Sequence, residues 1–159
     1  MAIDIGSEAI DREATGGGGY TRIDKANPAN ATGTITSVEI WAVNNLVGVT
    51  VGTFYLTGTN ILKCRASQSI GDVTAGSKQT KTGLSIAVVT GDYFGIYWAD
   101  GGTSIEQGTT DAVGLWYVSG EYIDAGDEAT YTYIAGYANS FKGLGVEAAV
   151  GRSYGYIIG

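Results

Sequence analysis

The chain has 159 residues, enough for one domain with a substantial core, and a formal net charge of −7. It has no histidine, one cysteine and one proline, which excludes Ser-His-Asp and Cys-His catalysis and most zinc, haem and iron–sulfur sites. Strand-forming Ile, Val, Thr, Tyr, Phe and Trp far outnumber the straight-chain helix formers, so composition predicts an all-β fold.

Residues 1–15 read as an N-terminal arm or a first strand, with Ile3 and Ile5 able to pair with an exposed sheet edge of a neighbour. Gly16 to Gly19 read as a flexible joint. The proline, Pro28, falls in a loop, where it interrupts no ladder. Asn30-Ala31-Thr32 is a formal glycosylation sequon.

From there, alternation predicts strands. Val38, Ile40 and Ala42 share one face of 34–43, and 48–57 follows the Asn44-Asn45 turn. Gly58-Thr59-Asn60 turns that strand back into a hairpin with ILKCRA, in which Cys64 alternates with Leu62 and Ala66 as a core thiol; an intermolecular disulfide is the alternative. Leu84, Ile86 and Val88, then Phe94, Ile96 and Trp98, predict a hairpin around Thr90-Gly91-Asp92. Residues 112–118, 128–135 and 151–159 read as later strands, for about nine or ten in all. Residues 136–150 match neither period and read as a crossover or a partner-facing segment. The expected architecture is an antiparallel β-sandwich, jelly-roll-like, over residues 20–159.

The stretch VTAGSKQTKTGLSIAVVTGDYFGIYW at 73–98, with IDIGSEAIDR near the start and NPANATGTITSVEIWAV at 27–43, resembles a β-sandwich domain of tail-associated, fibre and decoration proteins of phages and prophages. The resemblance covers about the first 135 residues and implies a structural or adhesive part of a virion, not an enzyme. The quoted residues build strands and turns and carry over no active site.

Charge points the same way. Residues 1–82 hold seven acids and seven bases, whereas 83–159 hold nine acids against Lys142 and Arg152. No basic stripe exists to displace counterions from phosphates, which argues against nucleic acid. No apolar run is long enough for a membrane span, and no basic segment precedes an apolar core as in a secretion signal. The expected location is a virion assembled in the host cytoplasm, otherwise an extracellular setting.

Candidate sites are few. Asp100 with Glu106, or Asp124, Asp127 and Glu128, are the carboxylates that a glycosidase or Ca²⁺ would need, but each group lies among turn residues beside glycine. No cofactor is expected, with Ca²⁺ as the alternative. Most aromatics are polar-tipped, and in the adjacent pairs Tyr97–Trp98 and Trp116–Tyr117 one member should leave a two-layer core. Trp41, Tyr131 and Tyr133 complete the candidate interface or ligand-binding set. The function expected is a non-enzymatic structural protein of a phage virion, a homo-oligomer that docks on capsid or tail proteins. A module that binds a carbohydrate or receptor on the cell surface, and a subunit of a cellular extracellular filament, are the alternatives.

Overall fold

The computed structural model describes residues 2–110 and 112–149. These contain fifteen strands and no helix: β1 Ala2–Gly6, β2 Ala14–Gly17, β3 Tyr20–Asp24, β4 Gly33–Trp41, β5 Leu46–Gly58, β6 Ile61–Val73, β7 Lys78–Lys81, β8 Ile86–Val88, β9 Tyr93–Tyr97, β10 Ser104–Gly108, β11 Gly114–Ser119, β12 Glu128–Thr130, β13 Thr132–Ala135, β14 Ala138–Asn139 and β15 Phe141–Glu147. The all-β, sandwich-like architecture is as composition requires. The count exceeds nine or ten because β2, β3, β7, β10, β14 and β15 form where no strand was expected and because 128–135 divides into β12 and β13.

Three antiparallel sheets form. One runs β1-β15-β4, with β7 and β8 following each other along the far side of β4. The largest runs β12-β6-β5-β9-β3-β11-β13. Because 128–130 pair with β6 while 132–135 pair with β11, one extended stretch ties both ends of this sheet together and nearly closes it into a barrel. The third sheet is small, β14-β10-β2.

The large sheet therefore has a core on each side of β5 and β9. Val49, Val51, Phe94, Ile96 and Trp98 point to the five-stranded sheet, where they meet Ile3, Ile5, Ile35, Val38, Ile40, Ile86, Val88 and Phe141. Ile23, Phe54, Leu62, Cys64, Trp116, Ile123 and Tyr131 fill the barrel. Strand alternation supplies both cores from the same strands.

Two glycines make room inside the barrel. Gly52 and Gly95 are cross-strand partners, and a Cβ on Gly95 would lie 2.3 Å from Cε1 of Phe54. The Phe54 ring thus lies over bare backbone.

Several expectations change. The 48–66 hairpin forms as β5–β6, but 84–98 is not a hairpin: β8 pairs with β4 and β9 with β5 and β3, so the turn at Thr90–Asp92 carries the chain between sheets. The predicted core faces are nonetheless right, since Val38, Ile40, Ala42, Ile86, Val88, Phe94, Ile96 and Trp98 are all buried in one core. Segment 136–150 is not a crossover; its β15 is the strand between β1 and β4. Its periodicity is hidden by glycines that close packing demands: a Cβ on Gly145 would strike the Thr34 carbonyl oxygen at 2.0 Å, beside a bulge at Leu144/Gly145. The expected strand at 151–159 lies outside the described residues.

The N-terminus is not a free arm in this chain. Ile3 and Ile5 are fully buried and β1 pairs with β15. The outer edge of β1 is also covered, because Asn30 Oδ1 accepts from Asp4 N–H at 3.0 Å, Asn30 Nδ2 donates to the Ala2 carbonyl at 3.1 Å, and Asn27 Nδ2 donates to the Gly6 carbonyl at 3.1 Å. Asparagine amides here stand in for a neighbouring strand, and the edge is closed to addition. The Asn30 amide, the acceptor of the formal sequon, is committed to this role. Nor is 16–19 a flexible joint: Gly16 and Gly17 lie in β2, and a Cβ on Gly18 would lie 2.3 Å from Trp98 Nε1.

Candidate functional site

The aromatic residues expected to face outward divide by strand position. Trp98, just after β9, is buried in the core against the five-stranded sheet, and Trp116 on β11 and Tyr131 between β12 and β13 are buried in the barrel core, so they offer no surface to a partner. Tyr97 and Tyr133 are half-buried against the barrel core, and Trp41 is half-buried at the end of β4. Cys64 is also internal: its thiol donates to the Ile123 carbonyl at 3.4 Å, and burial, then the charges of Asp127 and Asp124, push its pKa up to about 12. A thiol so placed is not available for an intermolecular disulfide.

The carboxylates do structural work. Asp100 Oδ1 accepts from Gly102 N–H at 2.8 Å, and Glu106 Oε1 accepts from Arg12 N–H at 2.8 Å. Glu128 is turned to the Thr57 hydroxyl. Asp124 and Asp127 converge instead with Glu121, their ligand oxygens within 4.8 Å of one another. Two of these carboxylates already hold the local turn, since Asp127 Oδ2 accepts from Asp124 N–H and Glu121 Oε2 from Ile123 N–H. Ca²⁺ takes six to eight oxygens, and this cluster alone does not supply that shell.

Tyr117 is the expected aromatic that opens onto a cavity. On β3, β11 and β13 the residues facing away from the barrel core are Tyr20, Arg22 and Asp24, Leu115 and Tyr117, and Ile134; the small sheet β14-β10-β2 covers part of this face. At the inner end the cover is tight. Asp24 is buried, and burial pushes its pKa up to about 7 against the opposing hydrogen bonds from Asn139. Beside it lies a cleft of about 270 Å³ lined by Thr15, Tyr20, Arg22, Gln107, Leu115, Tyr117 and Ile134.

Arg22 forms the base of the cleft and is 9% exposed. Its Nε donates to the Gly17 carbonyl at 2.9 Å and its Nη1 to Gln107 Oε1 at 3.2 Å. Gly16 leaves room beside them, since a Cβ there would stand 2.5 Å from Gln107 Oε1 and 3.1 Å from Arg22 Nη1 and would displace these side-chain ends. The guanidinium carbon lies 5.4 Å from the centroid of the Tyr20 ring, and that ring meets Tyr117 edge-on at 5.9 Å. The result is an aromatic wall over a cationic floor, with amide and hydroxyl groups at the side.

Sequence reasoning finds Tyr117 but misses Tyr20, Arg22, Gln107 and Thr15. The alternation of Tyr20 and Arg22 within β3 is a usable signal of a shared face, but nothing local shows which residues of β10 and β2 will cover it. A comparison with protein-family models finds no match to this chain, and a comparison with curated protein sequences finds none either. No helix among the described residues is long and apolar enough to cross a membrane.

Proposed function

We propose that the chain is a non-enzymatic binding module of a surface-displayed assembly, with the cleft between β3–β11–β13 and the small sheet as its ligand site. The observation that carries this reading is the convergence of Tyr20, Arg22, Gln107, Tyr117 and Thr15 on one opening. Clefts that pair apolar walls with a few placed polar groups are the usual form of small-ligand sites. The absence of enzymatic chemistry is part of the proposal, and the use of Asp100 and Glu106 as acceptors for backbone N–H groups supports it. The virion setting comes from the resemblance at 27–43 and 73–98: an appendage of tail or capsid surface that presents the cleft to a cell-surface glycan. A glycan array probed with the full-length chain and with Tyr117→Ala tests the reading. We expect a restricted set of signals that the substitution removes; silence on all glycans overturns it.

A second reading, a structural subunit that self-associates or docks on other virion proteins, is favoured by a different observation. Beyond Cys64 no strand among the described residues pairs with the outer edge of β6. An unpaired edge can accept a strand from a partner. Light scattering across a concentration series tests it: growth of molar mass supports assembly through this edge, and a constant monomer mass removes self-association.

A further inference from the structure

Resting on the reading of the cleft as a binding site, we infer that its ligand is a single sugar unit bearing a carboxylate, held by Arg22 and packed on the Tyr20–Tyr117 wall.

Arginine is rarely buried without an anionic partner, yet the acceptors of Arg22, the Gly17 carbonyl and the Gln107 amide, are both uncharged. No carboxylate among the described residues lies within ion-pair distance of it. Asp24, two residues along the same face, is turned to Asn139. Among the described residues Nη2 has no hydrogen-bond partner, and Arg22 lines the cleft. Burial also lowers the pKa of Arg22 from its ordinary value, against the opposing charges of Tyr20, Asp24 and Tyr117. An anion entering from outside supplies what the chain does not.

The rest of the lining selects the kind of anion. A carboxylate is planar and matches a guanidinium fork. Tyr20 is 37% exposed, and exposed aromatic rings pack against the C–H faces of sugar rings. Thr15 and Gln107 add neutral hydrogen-bonding groups suited to hydroxyls. The volume falls at the small end for ligand pockets, room for one ring rather than an extended chain. The net charge of −7 gives no long-range attraction for anions, so discrimination must come from these contacts.

The test is an NMR titration of the full-length chain with sodium glucuronate, N-acetylneuraminate, glucose and sodium sulfate. We expect saturable binding of at least one acidic sugar, about tenfold tighter than glucose, with shifts at Tyr20 and Tyr117. Arg22→Lys should remove that preference, and Tyr20→Ala should weaken acidic sugars while sparing the fold. Should Arg22→Lys fail to fold, Tyr20→Ala and the glucose comparison decide the matter alone. Glucose binding as tightly as both acidic sugars overturns the carboxylate and leaves the cleft standing as a site. Sulfate binding as tightly as the sugars overturns the sugar. If no probe moves the two tyrosines, both this inference and the reading beneath it fail.

Discussion

Asn139 grips Asp24 from two sides: its backbone N–H lies 3.1 and 3.2 Å from the two carboxylate oxygens, and its Nδ2 lies 2.9 Å from Oδ1. This fastens the small sheet to β3 and so fixes one wall of the cleft. It also leaves an acid in a fully buried place, where desolvation outweighs the hydrogen bonds and raises the pKa to about 7.

That shift makes stability depend on pH. The folded pKa lies above the ordinary carboxylate value, so the folded state holds a proton that the unfolded chain has released between about pH 4 and 7. The contribution of Asp24 is therefore most favourable below about pH 4 and is lost as pH rises through about 7, a change on the order of 4 kcal/mol. Urea unfolding of the wild type and of Asp24→Asn across this range isolates the group. The variant should gain on the wild type as pH rises; parallel profiles would refute the assignment.

Asp92 poses the opposite case, a buried carboxylate with its partner in place. Arg65 binds it through Nε at 2.6 Å and Nη2 at 3.0 Å, while Val89 N–H donates to the same carboxylate at 3.0 Å. The Asp92 side chain is 2% exposed but that of Arg65 is 30%, so solvent screens part of the pair. Arg65→Ala should cost about 2 kcal/mol, between surface and buried pairs. Asp92→Asn in the same background should recover part of the loss, because the stranded charge is gone. No recovery in a double-mutant cycle would show that the loss is one of packing.

How much of this was legible depends on whether a residue's role is local. Alternation alone places Val38, Ile40, Phe94, Ile96 and Trp98 in the core, and Asn60, at φ 56°, serves the predicted β5–β6 turn. What failed was pairing. The sequence 84–98 has every mark of a hairpin, yet its two halves join different sheets, which only long-range partners decide. The aromatic pairs divide for a related reason: Tyr117 leaves the core for the cleft, but Tyr97 packs against the barrel core, because in a sheet with cores on both sides facing away from one core can mean facing another. In β15, Gly143 and Gly145 erase the apolar pattern because neighbours fill their side-chain space. The cleft was least legible, since β2, β3, β10, β11 and β13 build it from distant parts of the chain.

Cys64 should be inert while the protein is folded. Its thiol is buried and its pKa sits at about 12, leaving very little thiolate at neutral pH. A thiol-reactive dye should react only after denaturant is added, and reductant should leave the molar mass unchanged. Rapid labelling of the native chain would contradict the burial described here.

Removing residues 2–6 should unfold the domain rather than dissociate an assembly. Ile3 and Ile5 are fully buried between β15 and the large sheet, and losing each large apolar side chain costs about 2–5 kcal/mol, comparable in sum with the stability of a typical domain. Circular dichroism and light scattering on the truncated chain should show lost cooperative unfolding. A folded monomer from a formerly larger species would instead revive strand exchange.

Phe54 and Gly95 should behave as a coupled pair. A methyl group at Gly95 would sit 2.3 and 2.7 Å from two carbons of the Phe54 ring, and the ring is held by the barrel core on its other sides. Gly95→Ala should therefore cost about 2 kcal/mol or more through overpacking. Phe54→Leu alone should also destabilise, by vacating ring volume in a closed core. Together the changes should cost less than their sum, because the shorter side chain frees the space that the methyl group takes. Thermal unfolding of the two single variants and the double variant closes the cycle. Strict additivity would mean that Gly95 is needed for its backbone and not for the room it leaves.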